Sequence, residues 1–233
     1  MIDWHSHILP GMDDGSRNVD ESRSMLKALG EQGIETIIAT PHFDADSDSI
    51  DTFLERRSVA HQLLHEACME NSQRILCGAE VRYYPGISKL VGLERLAIES
   101  TNLLLLEMPV DRWSTNTIKE ITNLAGTRSL TIILAHVERY IFLQQKGTLE
   151  HLCENGVRMQ VNASFFHSCL TKRKALGLLA TGKIHFIGSD CHNMTSRPPR
   201  IGEAYQLIER RMGEKFTSQM NAYGYSMLNV NKG

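Results

Sequence analysis

The chain has 233 residues, a length at which many α/β barrels form a single domain. Hydrophobic residues account for 42% and charged residues for 22% of the sequence, which excludes an intrinsically disordered chain. A formal net charge of −2 provides no basic field for nucleic acid, and the longest apolar runs, at 101–106 and 130–135, are too short to cross a bilayer. We therefore expect one domain over residues 1–233, with no nucleic-acid partner and no membrane insertion.

The first residues and the cysteines predict the compartment. Met1–His5 contains no basic segment and opens no long apolar run, unlike a signal peptide. The five cysteines are an odd number and form no Cys-x-x-Cys pair, which is typical of reduced cytosolic thiols. Both features favour a cytoplasmic protein.

The apolar residues follow two spacings: short continuous runs predict buried strands, and i, i+3, i+4 patterns predict helices. Glu35–Thr40 illustrates the first spacing, because Thr36, Ile37 and Ile38 are β-branched. The predicted order is strand 1–4, helix 18–32, strand 35–40, helix 48–67, strand 73–80, strand 102–107, helix 115–125, strand 129–135, helix 148–155, strand 156–161, helix 172–181, strand 183–188 and helix 200–212. Residues 214–233 are predicted to form a C-terminal cap or tail.

Strands that alternate with helices predict a mainly parallel α/β sheet. An open, doubly wound sheet usually has a glycine-rich phosphate-binding turn after its first strand. In this chain His5-Ser6-His7 occupies that position instead. We therefore expect a closed or nearly closed barrel.

Charged and imidazole side chains stand at the carboxyl ends of six of the seven predicted strands. They are His5, His7, His42, Glu80, Glu107, His136, Asp190 and His192. In a parallel barrel these strand ends converge on one face, where active sites are built. Packing carboxylates and imidazoles together without a counter-charge is costly, and bound cations remove that cost. The pattern predicts a metal centre.

The donor atoms of this set are nitrogen and oxygen, with no thiolate, which suits Mn²⁺, Fe²⁺ or Zn²⁺. The set is too large for one ion, so two or three ions are expected. Such clusters commonly activate a water and support an in-line phosphoryl displacement. The histidines outside the set are expected to be surface or core residues: His61, His65, His151, His167 and His185.

Five short motifs resemble those of the PHP (polymerase and histidinol phosphatase) superfamily: His5-x-His7, Thr40-Pro41-His42, Gly78-Ala79-Glu80, Ala135-His136 and Ser189-Asp190-x-His192. Longer strings resemble the bacterial protein-tyrosine phosphatases of the CpsB/CapC type: 1–16, 106–109, 136–140, 189–193 and 197–199. The resemblance extends from residue 1 to about residue 210.

This resemblance implies a distorted (β/α)₇ TIM-like barrel of the PHP fold with three divalent metals, manganese favoured and iron or zinc as alternatives. The implied ligands are His5, His7, Glu80 and Asp190 for the first metal, Glu80, Glu107 and His136 for the second, and Asp14, His42 and His192 for the third. Arg139 and Arg197 match arginines that bind the phosphate, a pairing that suits the bidentate guanidinium group.

The function that the resemblance implies is hydrolysis of phosphotyrosine on an autophosphorylating tyrosine kinase that controls capsule or exopolysaccharide synthesis and export. The partner would be the phosphotyrosine tail of that kinase, and a metal-bridged hydroxide would attack phosphorus directly. Trp4, Phe43 and Val137 depart from the usual motif residues, and these departures are expected to affect the fine shape of the substrate mouth and not the metal site. Tyr84 and Tyr140 could stack on the substrate ring or merely pack loop against barrel.

Other functions remain open on the residues alone. The same metals could serve a histidinol-phosphate phosphatase or another small phosphomonoesterase, and a nuclease fits less well because no basic groove is evident. Cys191 and Arg197 have the Cys-x5-Arg spacing of cysteine-dependent tyrosine phosphatases, but the intervening loop has no glycine. A metal-dependent scaffold protein is the alternative outside enzymology.

Overall fold

The computed structural model describes residues 1–68, 72–127 and 130–229. Its strands are β1 (Ile2–Ser6), β2 (Thr36–Ala39), β3 (His42–Phe43), β4 (Arg74–Cys77), β5 (Glu80–Arg82), β6 (Leu103–Glu107), β7 (Thr131–Leu134), β8 (Arg158–Asn162) and β9 (Phe186–Gly188). Its α-helices are α1 (Val19–Glu31), α2 (Ile50–Ala67), α3 (Thr115–Thr127), α4 (Val137–Tyr140), α5 (Thr148–Glu154), α6 (Ser164–His167), α7 (Lys172–Ala180), α8 (Ile201–Met212) and α9 (Glu214–Leu228). Two 3₁₀ helices cover Ile87–Lys89 and Leu93–Leu96.

The strands form two parallel sheets, in the orders β1-β2-β4 and β3-β5-β6-β7-β8-β9. β3 follows β2 after Thr40-Pro41, and β5 follows β4 after Gly78-Ala79, so each pair occupies one position around the barrel. The two sheets stay connected there, because the backbone N–H of Gly78 donates to Ala39 at 2.8 Å and that of Glu80 donates to Pro41 at 3.0 Å.

The barrel nearly closes between β1 and the residues that follow β9. Ser6 and Cys191 form an isolated parallel bridge. The backbone N–H of Asp190 donates to His5 at 2.8 Å, and that of His7 donates to Cys191 at 2.9 Å. Seven strand positions therefore surround one axis, which confirms the distorted (β/α)₇ barrel.

Two clusters of buried apolar residues follow from the alternation of side chains along the strands. On β6, Leu104 and Leu106 belong to the larger cluster, which packs the sheets against the helices. Leu103 and Leu105 belong to a smaller cluster together with Ile38, Ile133 and Phe186 from other strands. This second cluster fills the barrel below the polar strand ends.

The segment predicted as a C-terminal cap or tail contains helix α9, which packs against the barrel. Leu228 joins the inner cluster and is only 2% exposed. A Cβ at Gly224 would lie 3.0 Å from Ile2 and 3.2 Å from Trp4, so the helix approaches β1 closely. The amphipathic pattern of this helix is weak, which is why the sequence did not predict it. Residues 230–233 of the predicted tail lie outside the described residues.

The other predicted elements occur close to their expected bounds. Helix α1 illustrates the local cause, because Asn18 adopts an extended conformation and its side chain accepts from the N–H of Glu21. The predicted start of the fifth strand, Ser129, lies outside the described residues. Within the described ranges, no helix combines the length and the apolar character that a membrane span requires.

Candidate metal centre

Glu80 is the centre of the polar cluster at the carboxyl ends of the strands. Its side chain is fully buried, and its Oε2 lies 3.1 Å from His5 Nε2 and 3.2 Å from His7 Nε2. The same oxygen lies 3.1 Å from His42 Nδ1, and the other carboxylate oxygen lies 2.5 Å from His136 Nε2. Four imidazoles from three strand positions thus meet on one carboxylate.

Asp190 supplies the second buried carboxylate. Its Oδ1 lies 3.7 Å from His5 Nε2 and 3.6 Å from His7 Nε2. Both Asp190 and His136 have a positive φ, at 52° and 47°. A left-handed backbone is unfavourable for residues with a Cβ, and such strain concentrates at functional sites. In both cases the side chain at a strand end contacts other residues of the cluster.

Two further acidic residues lie at the edge of the cluster. Asp14 Oδ1 lies 3.5 Å from His42 Nε2 and 3.4 Å from His192 Nε2, and the Asp14 side chain is 65% exposed. Glu107, at the end of β6, has its Oε1 3.8 Å from His136 Nε2. Both carboxylates lie nearer to solvent than Glu80.

Among the described residues, four overlapping groups present ligand atoms within 4.8 Å of one another. The groups are His7, Asp14, His42 and His192; His5, His136 and Asp190; His5, His7 and Glu80; and His42, Glu80 and Glu107. Every one of the nine residues predicted as a ligand belongs to at least one group. The other five histidines lie outside these groups.

Imidazoles and carboxylates of the cluster shift each other's pKa, and the direction differs between residues, since burial lowers the pKa of His5 and His192. Burial lowers the pKa of His7, but hydrogen bonds with Asp13 and Glu80 and the charges of these carboxylates raise it to about 10. Burial also opposes protonation of His136, yet the charge of Glu80 and its hydrogen bond hold the pKa of His136 above its usual value. Burial raises the pKa of Glu80, while His5 and His136 outweigh it and hold that pKa well below its usual range.

The donor set fits divalent cations. Asp190 Oδ1 and His192 Nε2 are buried and have no hydrogen-bond partner among the described residues. Buried polar atoms without a partner are rare and require an explanation. Both atoms belong to side chains of the cluster, and the mixture of imidazole and carboxylate donors suits Mn²⁺, Fe²⁺ or Zn²⁺.

Asp13 is a residue of the site that the sequence analysis missed. Its Oδ2 accepts from His7 Nδ1 at 2.7 Å and from the backbone N–H of His42 at 2.8 Å. Burial raises the pKa of Asp13, but these bonds and the charge of His7 lower it below its usual range. A carboxylate on the far nitrogen of a metal-binding histidine orients the ring, so Asp13 is suited to position His7.

The sixth predicted strand, which offered no His, Asp or Glu at its carboxyl end, contributes amides. Asn162 Oδ1 lies 3.0 Å from His136 Nδ1, and Asn162 Nδ2 donates to Asp190 at 2.7 Å. Gln160 accepts from the backbone N–H of His136 at 2.9 Å. In the sequence, only the amide residues near the end of this strand could have indicated a role in the site. Amides are common in proteins, so they do not by themselves predict a metal centre.

Arg139 on the short helix α4 and Arg197 in the segment between β9 and α8 converge on Asp190. Arg139 donates to Asp190 Oδ2 at 3.0 Å and Arg197 at 2.7 Å. Arg139 also lies 3.3 Å from Glu107. Their side chains are 37% and 38% exposed, so both guanidinium groups lie between the buried cluster and solvent.

Several other residues that the sequence analysis singled out are buried, although Tyr84 is partly exposed. The Cys191 thiol is fully buried and its pKa is raised by burial, which argues against a thiolate nucleophile. Tyr140 is 0% exposed and its hydroxyl donates to Ala135, so this ring packs a loop and does not face a substrate. Trp4, Phe43 and Val137 are core residues and do not line the mouth of the cluster.

The family model described as "Capsular polysaccharide synthesis, CpsB/CapC" matches residues 1–226. The chain belongs to the CpsB/CapC family. A tyrosine-protein phosphatase CpsB of Streptococcus agalactiae is 30% identical over 236 residues, which cover 94% of each chain. This match extends over nearly the whole length of both proteins.

Solved structures agree with this family assignment. One from work on YwqE of Bacillus subtilis and CpsB of Streptococcus pneumoniae, described as metal-dependent tyrosine phosphatases, is 28% identical with a TM-score of 0.85. The match covers 100% of this chain and 96% of that chain. A histidinol phosphate phosphatase of Lactococcus lactis has a TM-score of 0.54 at 12% identity and covers 91% and 92% of the two chains, which shows a shared fold.

Proposed function

We propose that this CpsB/CapC protein is a metal-dependent protein-tyrosine phosphatase that hydrolyses phosphotyrosine. The observation that carries the proposal is the juxtaposition of the buried carboxylate–imidazole cluster with Arg139 and Arg197 at its solvent side. The similarity to named tyrosine phosphatases over almost the whole chain supports the same activity.

The nine residues of the cluster would hold the metals, and Glu80 would serve in two of the ligand sets. His5, His7, Glu80 and Asp190 would hold the first ion, Glu80, Glu107 and His136 the second, and Asp14, His42 and His192 the third. Manganese is the proposed metal. When bound, the cations would supply Lewis-acid stabilisation of phosphate oxygens and would lower the pKa of a water.

The arginines of the chain would bind and orient the phosphoryl group. A guanidinium group pairs with two phosphate oxygens at once, which fixes the group and stabilises the charge that spreads over its oxygens. Asp190 holds both guanidinium groups at 2.7 to 3.0 Å and thereby positions them. The phenol that leaves has a pKa of about 10, so it requires less help from a proton donor than an alkyl alcohol.

We assign as substrate the phosphotyrosine tail of an autophosphorylating tyrosine kinase, in the cytoplasm. The family description, capsular polysaccharide synthesis, supports a kinase of that pathway. A phosphotyrosine on an extended segment can reach the arginines because their side chains are partly exposed.

The test compares three substrates, a phosphotyrosine peptide, the matching phosphoserine peptide and histidinol phosphate, before and after chelation with EDTA. We expect rapid hydrolysis of phosphotyrosine alone, its loss on chelation and its return with Mn²⁺. Hydrolysis that survives complete removal of metal would refute the proposal. Preference for histidinol phosphate would favour a small phosphomonoesterase, for which the shared fold alone provides no specific support.

A further inference from the structure

A small cavity opens directly beside the candidate metal centre. Its volume is about 210 Å³, and Asp190 and Arg197 form part of its wall. The rest of the lining comes from the segments after β8 and β9 and includes Ser164, His167, Ser196, Pro198 and Arg200. Because it shares two residues with the centre, a group in this cavity would lie next to a phosphate held by Arg197.

The polar groups of this cavity are mainly hydrogen-bond donors and cations. Arg197 and Arg200 contribute two guanidinium groups, and Ser164 and Ser196 contribute hydroxyls. His167 Nε2 is buried and has no hydrogen-bond partner among the described residues. The guanidinium groups and the hydroxyls favour an anion, and the unpartnered His167 Nε2 marks a polar position in the same wall.

Neighbouring carboxylates do not occupy all the guanidinium N–H donors that line the cavity. Arg200 donates to Glu203 through Nε and Nη2, both at 2.9 Å, but Glu203 is not among the residues that line the cavity. Asp190 is the acidic residue of the lining, and it is already assigned to a metal and to Arg197. The Nη1 atom of Arg200 takes no part in the bonds to Glu203.

The size of the cavity restricts what it can hold. Sites for whole small molecules usually occupy about 300 to 1,000 Å³, so this cavity suits one functional group. A carboxylate or a phosphate matches both the volume and the donors that line it. The reacting phosphate itself is assigned to Arg139 and Arg197 at the metals.

We propose that this cavity is a subsite for a second anionic group of the substrate, on a residue adjacent to the phosphotyrosine. The proposal rests on the phosphotyrosine phosphatase function above and adds a preference for acidic or multiply phosphorylated segments. Arg200 is the residue that distinguishes such substrates, since it lines the cavity without belonging to the metal cluster.

The experiment measures kcat/KM on four substrates with the metal-loaded protein. Three are peptides of one sequence in which the phosphotyrosine is flanked by glutamine, by glutamate or by a second phosphotyrosine, and the fourth is para-nitrophenyl phosphate. We expect the glutamate or the doubly phosphorylated peptide to exceed the glutamine peptide by about three- to tenfold, mainly through KM. The relative rates of these two peptides distinguish a carboxylate from a phosphate subsite.

The decisive variant is Arg200→Gln, with Arg211→Gln as its control on the exposed last turn of the same helix. Arg200→Gln should remove the preference for anionic peptides and leave the glutamine peptide and para-nitrophenyl phosphate unchanged, whereas Arg211→Gln should change neither. Arg200→Lys, which retains the charge, should restore part of the preference. His167→Gln tests the cavity independently and should weaken the same preference.

Two results would contradict the subsite proposal and leave the proposed phosphatase function intact. One is a wild-type protein that hydrolyses the three peptides equally well. The other is an Arg200→Gln variant that slows every aryl phosphate to the same extent, which would assign the cavity to the phenyl ring. In both cases the retained hydrolysis of phosphotyrosine shows that the phosphatase function stands.

Discussion

Adjacent residues in this protein have different roles because their exposure differs. Asp13 is largely buried and holds His7 Nδ1, whereas the Asp14 side chain is 65% exposed and faces His42 and His192. The family resemblance implied a ligand role for Asp14 and gave no role to Asp13. Only the path of the loop after β1 shows which one supports a ring and which one faces the open edge of the cluster.

At the residue scale, Asp13→Asn tests the positioning role of Asp13. The amide cannot provide a negative charge for His7, so affinity for Mn²⁺ should fall about 10- to 100-fold while the folded barrel remains. Competition with a chelator measures the affinity, and circular dichroism checks the fold. Asp20→Asn is the matched control, since Asp20 is 93% exposed on α1. Equal affinities for both variants would contradict this role.

Arg139→Lys and Arg197→Lys test the phosphate-binding role. Lysine keeps the charge but loses the bidentate geometry, so kcat/KM for a phosphotyrosine peptide should fall about 10- to 100-fold. Elemental analysis should find the same metal content as in the wild type. A variant with full activity would remove that arginine from the assigned mechanism.

At the scale of elements, the strand ends carry the site and the helices support it from outside. The prediction that His, Asp and Glu meet at one face agrees with the structure because parallel strands end on the same side of a barrel. The contribution of Asn162 could not be predicted in this way. A neutral amide at a strand end has no electrostatic cost that requires a cation, so its presence does not indicate a metal centre.

Helix α9 provides a test of packing. Leu228 is 2% exposed in the inner cluster, so Leu228→Ala should lower the free energy of unfolding by about 2 to 5 kcal/mol. Leu170→Ala is the control, because Leu170 is 92% exposed and its loss should cost less than about 0.5 kcal/mol. Urea denaturation followed by fluorescence measures both values. Equal stabilities would show that α9 does not contribute to the barrel core.

His185, which lies between β8 and β9, makes the stability of the folded chain depend on pH. Burial, with a smaller effect from the charge of Arg158, lowers the pKa of His185 to about 4, and its Nδ1 accepts from the N–H of Met159. The unfolded chain has a pKa of about 6.5 at this residue, so it binds a proton that the folded chain excludes. Stability is therefore lost as pH falls from about 6.5 towards 4.

His185→Asn keeps an acceptor for Met159 but does not titrate in this range. Between about pH 7.5 and pH 5, the wild type should lose about 1 to 2 kcal/mol more unfolding free energy than this variant. Denaturation curves at both pH values provide the comparison, and changes at the metal cluster are common to both proteins. Identical losses would mean that His185 is protonated in the folded chain.

At the scale of the whole molecule, local patterns predict the barrel but not the division of its strands into two sheets. Alternating strands and helices predict a barrel, and the predicted bounds of α1, α2 and α8 agree with the structure within about two residues. The separation of β2 from β3 and of β4 from β5 was not predicted. Those breaks depend on Pro41 and Gly78 and on how the two sheets meet, which is a tertiary effect.

In the site, too, one part could be predicted from the sequence and another part could not. The nine residues predicted as ligands come together because each belongs to a strand end or to the loop after β1. The partners that orient them, Asp13, Gln160 and Asn162, depend on side-chain directions that no motif of the chain specifies. Closeness to a motif residue in sequence does not predict contact with the substrate. Tyr140 is next to Arg139 and yet is completely buried.

The central claim is that this cluster binds divalent metal. Anomalous diffraction from crystals grown with Mn²⁺ tests it most directly. We predict strong manganese peaks within reach of His5, His7 and Glu80, and of Asp14, His42 and His192. Well-ordered side chains at these positions with manganese elsewhere, or with no peak at all, would contradict the account.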